Sequence, residues 1–249
     1  NFTTPPMDPD SGMNIIDAMI AALTAEDVQT IQRLHGLLDT FNNSNDDVAI
    51  IDNDGTVYPP ADPDAVIRVM LGKPLDFDPG ERYAYSNYGY CLLGRVIEKV
   101  SGEGYEDYVK AHVLEPIGVT DMQVGETRLA GRKPNEVRYY DPRSGESVFA
   151  ANLRSPVPQP YGAWHLEAMD SHGAWIASAS DLVRFASAFD SAEACPILSA
   201  ESVRQMSRRP QGMAGYNDAG EPKAKYYGLG WSISDVDGEQ FTASHGGSL

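Results

Sequence analysis

Residues 83–102 read YAYSNYGYCLLGRVIEKVSG, a polar turn that runs into an amphipathic pattern. Apolar side chains recur three and four positions apart along the second half of this stretch, which predicts a helix over residues 87–100 with one buried face. Ser101-Gly102 ends the pattern, and glycine is the residue most often found just past a helix C-terminus. Tyr85-Ser86-Asn87 therefore opens a helix, and a tyrosine and an asparagine flank its first turn.

Helical patterns dominate the remainder of the chain, and strands are predicted only near its end. Further helices are predicted at residues 15–23, 28–41, 62–71, 105–113, 178–189 and 199–206, the fifth of them opened by a capping box. Loops rich in proline, glycine, tyrosine and serine fill residues 125–175. YYGLGWSISDV and EQFTASHGG are predicted to be two adjacent strands joined by a turn at Asp237-Gly238. This order of elements predicts an α+β fold, mostly helical, with a small antiparallel sheet.

Composition excludes several classes of partner. The chain has 36 acidic and 19 basic residues and a formal net charge of -17, so its surface repels phosphate backbones and anionic membranes. Nucleic acid is therefore not an expected partner. No apolar run reaches the roughly 18 residues of a membrane span. Cys91 and Cys195 lie in no metal-ligand spacing, and we expect neither a metal nor an organic cofactor.

A short acidic motif offers one candidate chemistry. Residues 48–57 read VAIIDNDGTV, and an apolar strand followed by D-x-D-G-T resembles the first motif of haloacid-dehalogenase-type phosphohydrolases. That resemblance implies Asp52 as the nucleophile and Asp54 as its acid-base partner, with magnesium bound between them. The alternating strands and helices of that fold do not follow in this sequence. A simple Asn-Asp-Gly turn after a short strand is the alternative.

A longer set of motifs supports a different chemistry. Residues 74–122 resemble the serine hydrolases of the class C β-lactamase and penicillin-binding-protein type, and the resemblance extends over residues 61–249. The motifs that carry it occur in the family's order: Pro79-Gly80, Tyr85-Ser86-Asn87, Ser101-Gly102, Pro116-Ile117-Gly118-Val119-Thr120, SHGAWIASASDLVRFA, YYGLGWSI and His245-Gly246-Gly247. The resemblance implies a β-lactamase/transpeptidase-like fold. It divides the chain into a poorly matching segment, residues 1–60, and a hydrolase domain, residues 61–249.

The resemblance also implies catalytic roles. In this family a serine attacks a carbonyl and forms an acyl-enzyme, which water then hydrolyses. Tyr85 is implied to move the proton of that serine, although a phenol with a pKa of about 10 needs a nearby positive charge to act as a base. Asn87 is implied to hold the substrate amide and the catalytic lysine. Ser86, between them, is expected to point elsewhere and cap the helix. His245 stands where most members have the lysine of a Lys-Thr-Gly motif.

Four further residues are predicted to contact the substrate. Gly246 and Gly247 let a substrate backbone approach the strand closely. Ser248 follows them, and Gly246-x-Ser248 also resembles the start of a nucleophile elbow. Trp164 lies in a loop that either forms a wall of the substrate site or packs against the protein.

The nucleophile that the resemblance requires is not found in this sequence. In the family it lies in Ser-x-x-Lys, one helical turn before the lysine. The residues three positions before the six lysines are Met70, Val96, Asp107, Ala130, Gly220 and Pro222. We therefore expect a fragment of a hydrolase that acts on a small ester, amide or peptide, with Ser-x-x-Lys in a segment that precedes Asn1. A pseudoenzyme that binds without catalysis is the alternative.

Overall fold

The computed structural model describes residues 50–51, 57–58, 60–71, 73–74, 76–77, 83–235 and 241–247. The predicted helices at residues 15–23 and 28–41 lie outside these residues, and so do Asp52, Asp54 and the Asp237-Gly238 turn. Helices and short antiparallel strands are mixed along the described chain, which confirms the predicted α+β class.

Helices form where the sequence patterns predict them. Their bounds are Pro63–Leu71 (α1), Asn87–Ser101 (α2), Tyr105–Val109 (α3), Ala179–Ser187 (α4) and Ala200–Met206 (α5). The capping box that opens α4 is present, because Asp181 N donates to Ser178 Oγ over 3.2 Å and Ser178 N donates to Asp181 Oδ2 over 3.3 Å. α2 ends at Gly102 in a left-handed conformation (φ 75°), as glycine permits.

Strands are short and pair only antiparallel among the described residues. Their bounds are Ile50–Ile51 (β1), Val57–Tyr58 (β2), Gln123–Val124 (β3), Ser144–Glu146 (β4), Pro156–Pro158 (β5), Trp175–Ile176 (β6), Lys225–Tyr227 (β7), Ser232–Asp235 (β8) and Phe241–Ser244 (β9). β1 pairs with β2, β3 with β6, and β4 with β5. β1 and β2 flank the D-x-D-G-T motif in the sequence.

The C-terminal sheet has three strands in the order β7-β8-β9, not two. The YYGLGWSISDV segment was predicted to be a single strand, and that prediction is wrong because the chain reverses between Gly228 and Trp231. Gly228 N donates to Trp231 O over 2.8 Å across this reversal, and Gly230 has a φ of 80° that only glycine adopts readily. The predicted antiparallel pairing of β8 with β9 is confirmed.

Two apolar clusters hold the helices in place. Leu114, Val119 and Met122 form the larger one, with Trp175 and Phe185 packed against them. Met70 of α1 and Tyr88 of α2 form the smaller one, which fixes α1 against the start of α2. Burial of such side chains contributes roughly 1.5–3 kcal/mol each. The N-terminal turn of α2 is therefore set on a packed base.

Loops between residues 125 and 175 contain short 3-10 turns and the β4–β5 pair, in agreement with the predicted loop-rich region. α3 continues directly into a wider helical turn, Lys110–Leu114, and a 3-10 turn, Glu115–Ile117. Within the described ranges, none of the helices has the length and apolar character required to span a bilayer.

Candidate active site

The start of α2 is fixed by Ser86. This residue is fully buried and extended (φ -149°, ψ 117°), and its Oγ accepts a hydrogen bond from Gly89 N over 2.8 Å. The prediction that Ser86 caps the helix is thus confirmed. Because Ser86 points into the protein, the side chains on either side of it are directed away from the interior. Tyr85 is 37% exposed and Asn87, the first residue of α2, is half-buried.

Tyr85 lies beside His245, although the two are far apart in the sequence. Their ring centroids are 6.4 Å apart with an interplanar angle of 45°. Tyr227 packs edge-on against both rings, with centroids 6.4 Å from Tyr85 and 6.0 Å from His245. Tyr83 completes the group at 5.7 Å from Tyr227. We call these four residues the aromatic cluster.

The register of the C-terminal sheet explains how His245 reaches this position. Tyr227 of β7 and Ser244 of β9 both pair with Ser232 of β8, on its two sides. These three residues form one row across the sheet, and His245 comes directly after it. The sheet therefore presents Tyr227 and His245 together to the turn that carries Tyr85.

Burial raises the pKa of the Tyr85 hydroxyl above its ordinary value. Tyr85 is therefore a neutral phenol at neutral pH, and a cation at its side would favour the phenolate. In the family that the sequence resembles, the lysine of Ser-x-x-Lys is that cation.

Comparison with known proteins identifies the family. The family model described as beta-lactamase matches residues 40–249. The chain belongs to the beta-lactamase family. The matched residues include β1, β2 and the D-x-D-G-T motif between them, so this motif lies within the beta-lactamase-family match.

Three similar proteins illustrate the relationship. Penicillin-binding protein 4* of Bacillus subtilis (strain 168) is 29% identical over 187 residues, which are 73% of this chain and 38% of that protein. The penicillin-binding protein from Bacillus halodurans has a TM-score of 0.55 at 19% identity, over 90% of this chain and 62% of that one. The D-amino acid amidase from Ochrobactrum anthropi SV3 has a TM-score of 0.54 at 18% identity, over 92% and 60%. The chain thus spans less than two thirds of each.

These matches confirm the predicted fold class. The two solved structures share the β-lactamase/transpeptidase-like fold with this chain. The predicted resemblance to the β-lactamase and penicillin-binding-protein family is likewise confirmed. The boundary between residues 1–60 and 61–249 stays a prediction, and the family match begins at residue 40.

Sequence reasoning missed two tyrosines of this beta-lactamase-family site. Tyr227 lies in the YYGLGW motif, which was used for the resemblance but given no role. Its hydroxyl oxygen is buried near that of Tyr90, a residue of α2, and has no hydrogen-bond partner among the described residues. Burial raises the pKa of Tyr90 to about 12, although its proximity to Tyr227 and the Gly230 backbone lowers it. Burial also raises the pKa of Tyr227. One buried hydroxyl from α2 and one from the sheet thus lie near each other behind the aromatic cluster.

The predicted substrate-binding residues are only partly brought to this site. Gly246 and Gly247 follow His245 and are exposed, with open space where a side chain would begin. Ser248 lies outside the described residues. Trp164 is half-buried in a bend, and its role in substrate binding stays a prediction.

Trp164 stands between two residues that hold loops together. His165 Nδ1 lies 2.9 Å from the carbonyl oxygen of Ala61. The hydroxyl of Tyr161 accepts a hydrogen bond from Tyr139 N over 2.7 Å. These contacts support the packed-loop interpretation for Tyr161 and His165.

A second polar group lies further along α2. Arg95 Nη2 is 2.5 Å from Asp170 Oδ2, and the two side chains are only 20% and 14% exposed. Arg95 also contacts Glu98 Oε2 at 3.3 Å. The backbone carbonyl of Asp170 accepts from Trp175 Nε1 over 2.7 Å, which fixes the 170–172 loop. Ser171 and His172 continue this loop against the helix, and we call Arg95, Asp170, Ser171 and His172 the buried polar cluster.

The buried polar cluster is incompletely hydrogen-bonded. Four of its buried atoms have no hydrogen-bond partner among the described residues: Arg95 Nε, Asp170 Oδ1, Ser171 Oγ and His172 Nδ1. Burial lowers the pKa of His172 to about 4, and the charge of Arg95 adds to this while Asp170 opposes it. The neutral form of His172 is therefore the one that the fold accommodates.

Burial also determines the behaviour of Cys91. Its side chain is 2% exposed, and burial raises the pKa of its thiol to about 11. The thiol is thus protonated at neutral pH and packs as a small apolar group, as the sequence predicts. In the described part of the chain, no group of three or more His, Cys, Asp or Glu side chains is arranged to bind a metal ion.

We expect Gly94→Ala to destabilise the fold by about 1–3 kcal/mol. A methyl group at Gly94 would lie 2.5 Å from Ser171 Cβ and closer still to its Oγ, so the 170–172 loop would have to move off α2. Urea unfolding measures the change. Gly173→Ala is the control, since a methyl group there meets nothing within 4 Å. Equal stability of Gly94→Ala and wild type would show that the loop does not pack on α2 as described.

Proposed function

We propose that this chain supplies the Tyr-x-Asn and His-Gly-Gly parts of a hydrolase that cleaves an ester or amide through an acyl-serine intermediate. The nucleophile is a Ser-x-x-Lys serine that lies outside these 249 residues. The observation that carries the proposal is the contact between the rings of Tyr85 and His245, whose centroids are 6.4 Å apart. This contact brings together two motifs that are far apart in the sequence.

The proposed reaction has two steps. The serine oxygen attacks the carbonyl carbon of the substrate, its proton passes to a base that includes Tyr85, and the alcohol or amine leaves with a proton. Water then attacks the acyl-serine, the acid is released and the serine regains its proton. The raised pKa of Tyr85 suits donation of a proton to the leaving group. Acceptance of the serine proton requires the lysine cation beside it.

The remaining residues are proposed to orient the substrate. Asn87, the first residue of α2, offers both a donor and an acceptor to a substrate amide. Gly246 and Gly247 leave room for an extended substrate along the end of β9. Ser248 and Trp164 are proposed to contact the substrate.

The proposed substrate is a small ester, amide or peptide. The similar proteins include a D-amino acid amidase and penicillin-binding proteins, which supports an acyl donor of the amide class. The net charge of -17 disfavours a strongly anionic substrate.

The test compares this chain with the same chain extended by the sequence encoded upstream of Asn1. We expect no hydrolysis of p-nitrophenyl acetate or butyrate by residues 1–249 above a denatured control, because the nucleophile is not among them. The extended protein should turn over the ester, and mass spectrometry should find the acyl group on the serine of Ser-x-x-Lys.

Two outcomes would contradict the proposal. Saturable turnover by residues 1–249 that Ser248→Ala abolishes would move the nucleophile to Ser248. An extended protein that contains no Ser-x-x-Lys, or forms no acyl-enzyme, would instead make this a binding protein without catalysis.

A further inference from the structure

We infer that Tyr227 is a positioning residue for the proposed reaction: its ring keeps Tyr85 and His245 facing each other. The inference rests on the proposed function for its kinetic consequences. Its structural content, the placement of His245, can be tested without any activity.

Tyr227 occupies the centre of the aromatic cluster. Its ring makes edge-on contacts with Tyr85, at an interplanar angle of 86°, and with His245, at 72°. Edge-to-face pairs with centroids 4.5–7 Å apart contribute roughly 0.5–1.5 kcal/mol beyond the area that they bury. Tyr83 adds a third ring contact at 5.7 Å. Tyr227 is thus the one member of the cluster that contacts the other three.

Tyr227 differs from Tyr85 and His245 in its place in the secondary structure. Tyr85 is 37% exposed and lies in the turn before α2. His245 is exposed and follows the last residue of β9. Tyr227, by contrast, lies inside β7 and is paired with β8. The sheet therefore fixes the backbone of the residue whose ring contacts both of the others.

The hydroxyl of Tyr227 lies away from solvent. It is buried near Tyr90 of α2 without a hydrogen-bond partner among the described residues, and the Tyr90 hydroxyl lies near Gly230. The ring, rather than the hydroxyl, reaches the proposed catalytic residues, so loss of the ring should matter more than loss of the hydroxyl.

The first arm of the test uses residues 1–249 and needs no activity. Nuclear Overhauser contacts between the ring protons of Tyr85 and His245, assigned with Tyr85→Phe and His245→Asn, are recorded by NMR in wild type, Tyr227→Leu and Tyr226→Leu. If the Tyr227 ring keeps the two rings together, these contacts should weaken in Tyr227→Leu. Tyr226→Leu is the matched control, because Tyr226 contacts Arg209 and donates its hydroxyl to Ser207 O over 2.9 Å, away from the cluster.

The second arm uses the extended protein and a p-nitrophenyl ester. Tyr227→Leu should lower kcat by about 10–10²-fold, the scale of a displacement of about 1 Å in a catalytic group, with little change in KM. Tyr227→Phe, which keeps the ring, should recover most of that loss. In the Tyr85→Phe background, Tyr227→Leu should have little further effect, because the hydroxyl that it positions is gone.

The outcomes separate the two proposals. Tyr85–His245 contacts that are unchanged in a folded Tyr227→Leu chain would overturn the positioning role, and so would kinetic effects that simply multiply in the double variant. An inactive extended protein would overturn the proposed function, while the NMR arm would still decide whether Tyr227 places His245. A general loss of folding would show equally in Tyr226→Leu and in thermal unfolding.

Discussion

Tyr85→Phe is expected to lower kcat for a simple ester by about 10²–10⁴-fold in the extended protein, the usual contribution of a general acid-base group. The substitution removes one hydroxyl and keeps the ring. The contacts of that ring with Tyr227 and His245 are retained, so the cluster should keep its shape. KM should therefore change little, and the loss should lie in the chemical step.

The physical reason lies in the environment of the hydroxyl. Burial raises the pKa of Tyr85, so the hydroxyl stays protonated until a cation approaches. The protonated phenol is the form that can donate to a leaving group, and the phenolate favoured beside a lysine is the form that can accept a proton from a serine. Phenylalanine can do neither.

Steady-state kinetics with p-nitrophenyl acetate measure the effect. Tyr140→Phe is a suitable control, since Tyr140 is 85% exposed and its hydroxyl faces solvent. A Tyr85→Phe enzyme that keeps its full kcat would remove the central residue of the proposed mechanism. A loss confined to KM would make Tyr85 a binding residue instead.

The helical part of the fold follows directly from local sequence signals. α2, α4 and α5 begin at serine caps and carry apolar stripes, and both features depend on residues within a few positions of one another. Such signals are readable without knowledge of the rest of the chain. The strands of the C-terminal sheet are harder to predict from the sequence, because Gly230 reverses the chain inside an apparently continuous apolar run.

The site shows the same division between local and long-range information. Tyr85, Asn87 and His245 could be proposed because each belongs to a recognisable motif. Tyr227 could not, because its role depends on the pairing register of β7 and β8 and on a contact with α2. The buried polar cluster depends likewise on the packing of the 170–172 loop against Arg95. Neither arrangement leaves a pattern in a single sequence.

The buried polar cluster should make the stability of the fold depend on pH. An unfolded histidine binds a proton near pH 6.5, whereas folded His172 binds one only near pH 4, because burial disfavours its charged form. Between these values the unfolded chain binds more protons than the folded one. The free energy of unfolding should therefore be fully retained above pH 6.5 and fall as the pH decreases towards 4, by up to about 3 kcal/mol.

Urea unfolding of residues 1–249 at several values between pH 4 and 7.5 tests this expectation. Carboxyl groups also titrate near the lower limit, so the informative quantity is the difference between wild type and His172→Gln. That difference should shift in favour of the variant as the pH falls, because glutamine takes up no proton. His112→Gln is the control, since the His112 ring is exposed and lies 3.1 Å from Glu103 Oε1 at the surface. A difference that is constant across the range would show that His172 is accessible to protons in the folded state.

The position of His172 indicates which part of the fold its protonation should affect. Protonation would place a second positive charge beside Arg95, whose partner Asp170 is already engaged in the 2.5 Å contact. The 170–172 loop should then separate from α2. The N-cap of α2 is Ser86, which lies between Tyr85 and Asn87. Movement of α2 would therefore disturb the proposed catalytic turn. In the extended protein, activity should consequently fall at acidic pH together with stability, and His172→Gln should reduce both losses. If His172→Gln reduces only the loss of stability, the buried polar cluster stabilises the fold without affecting the active site.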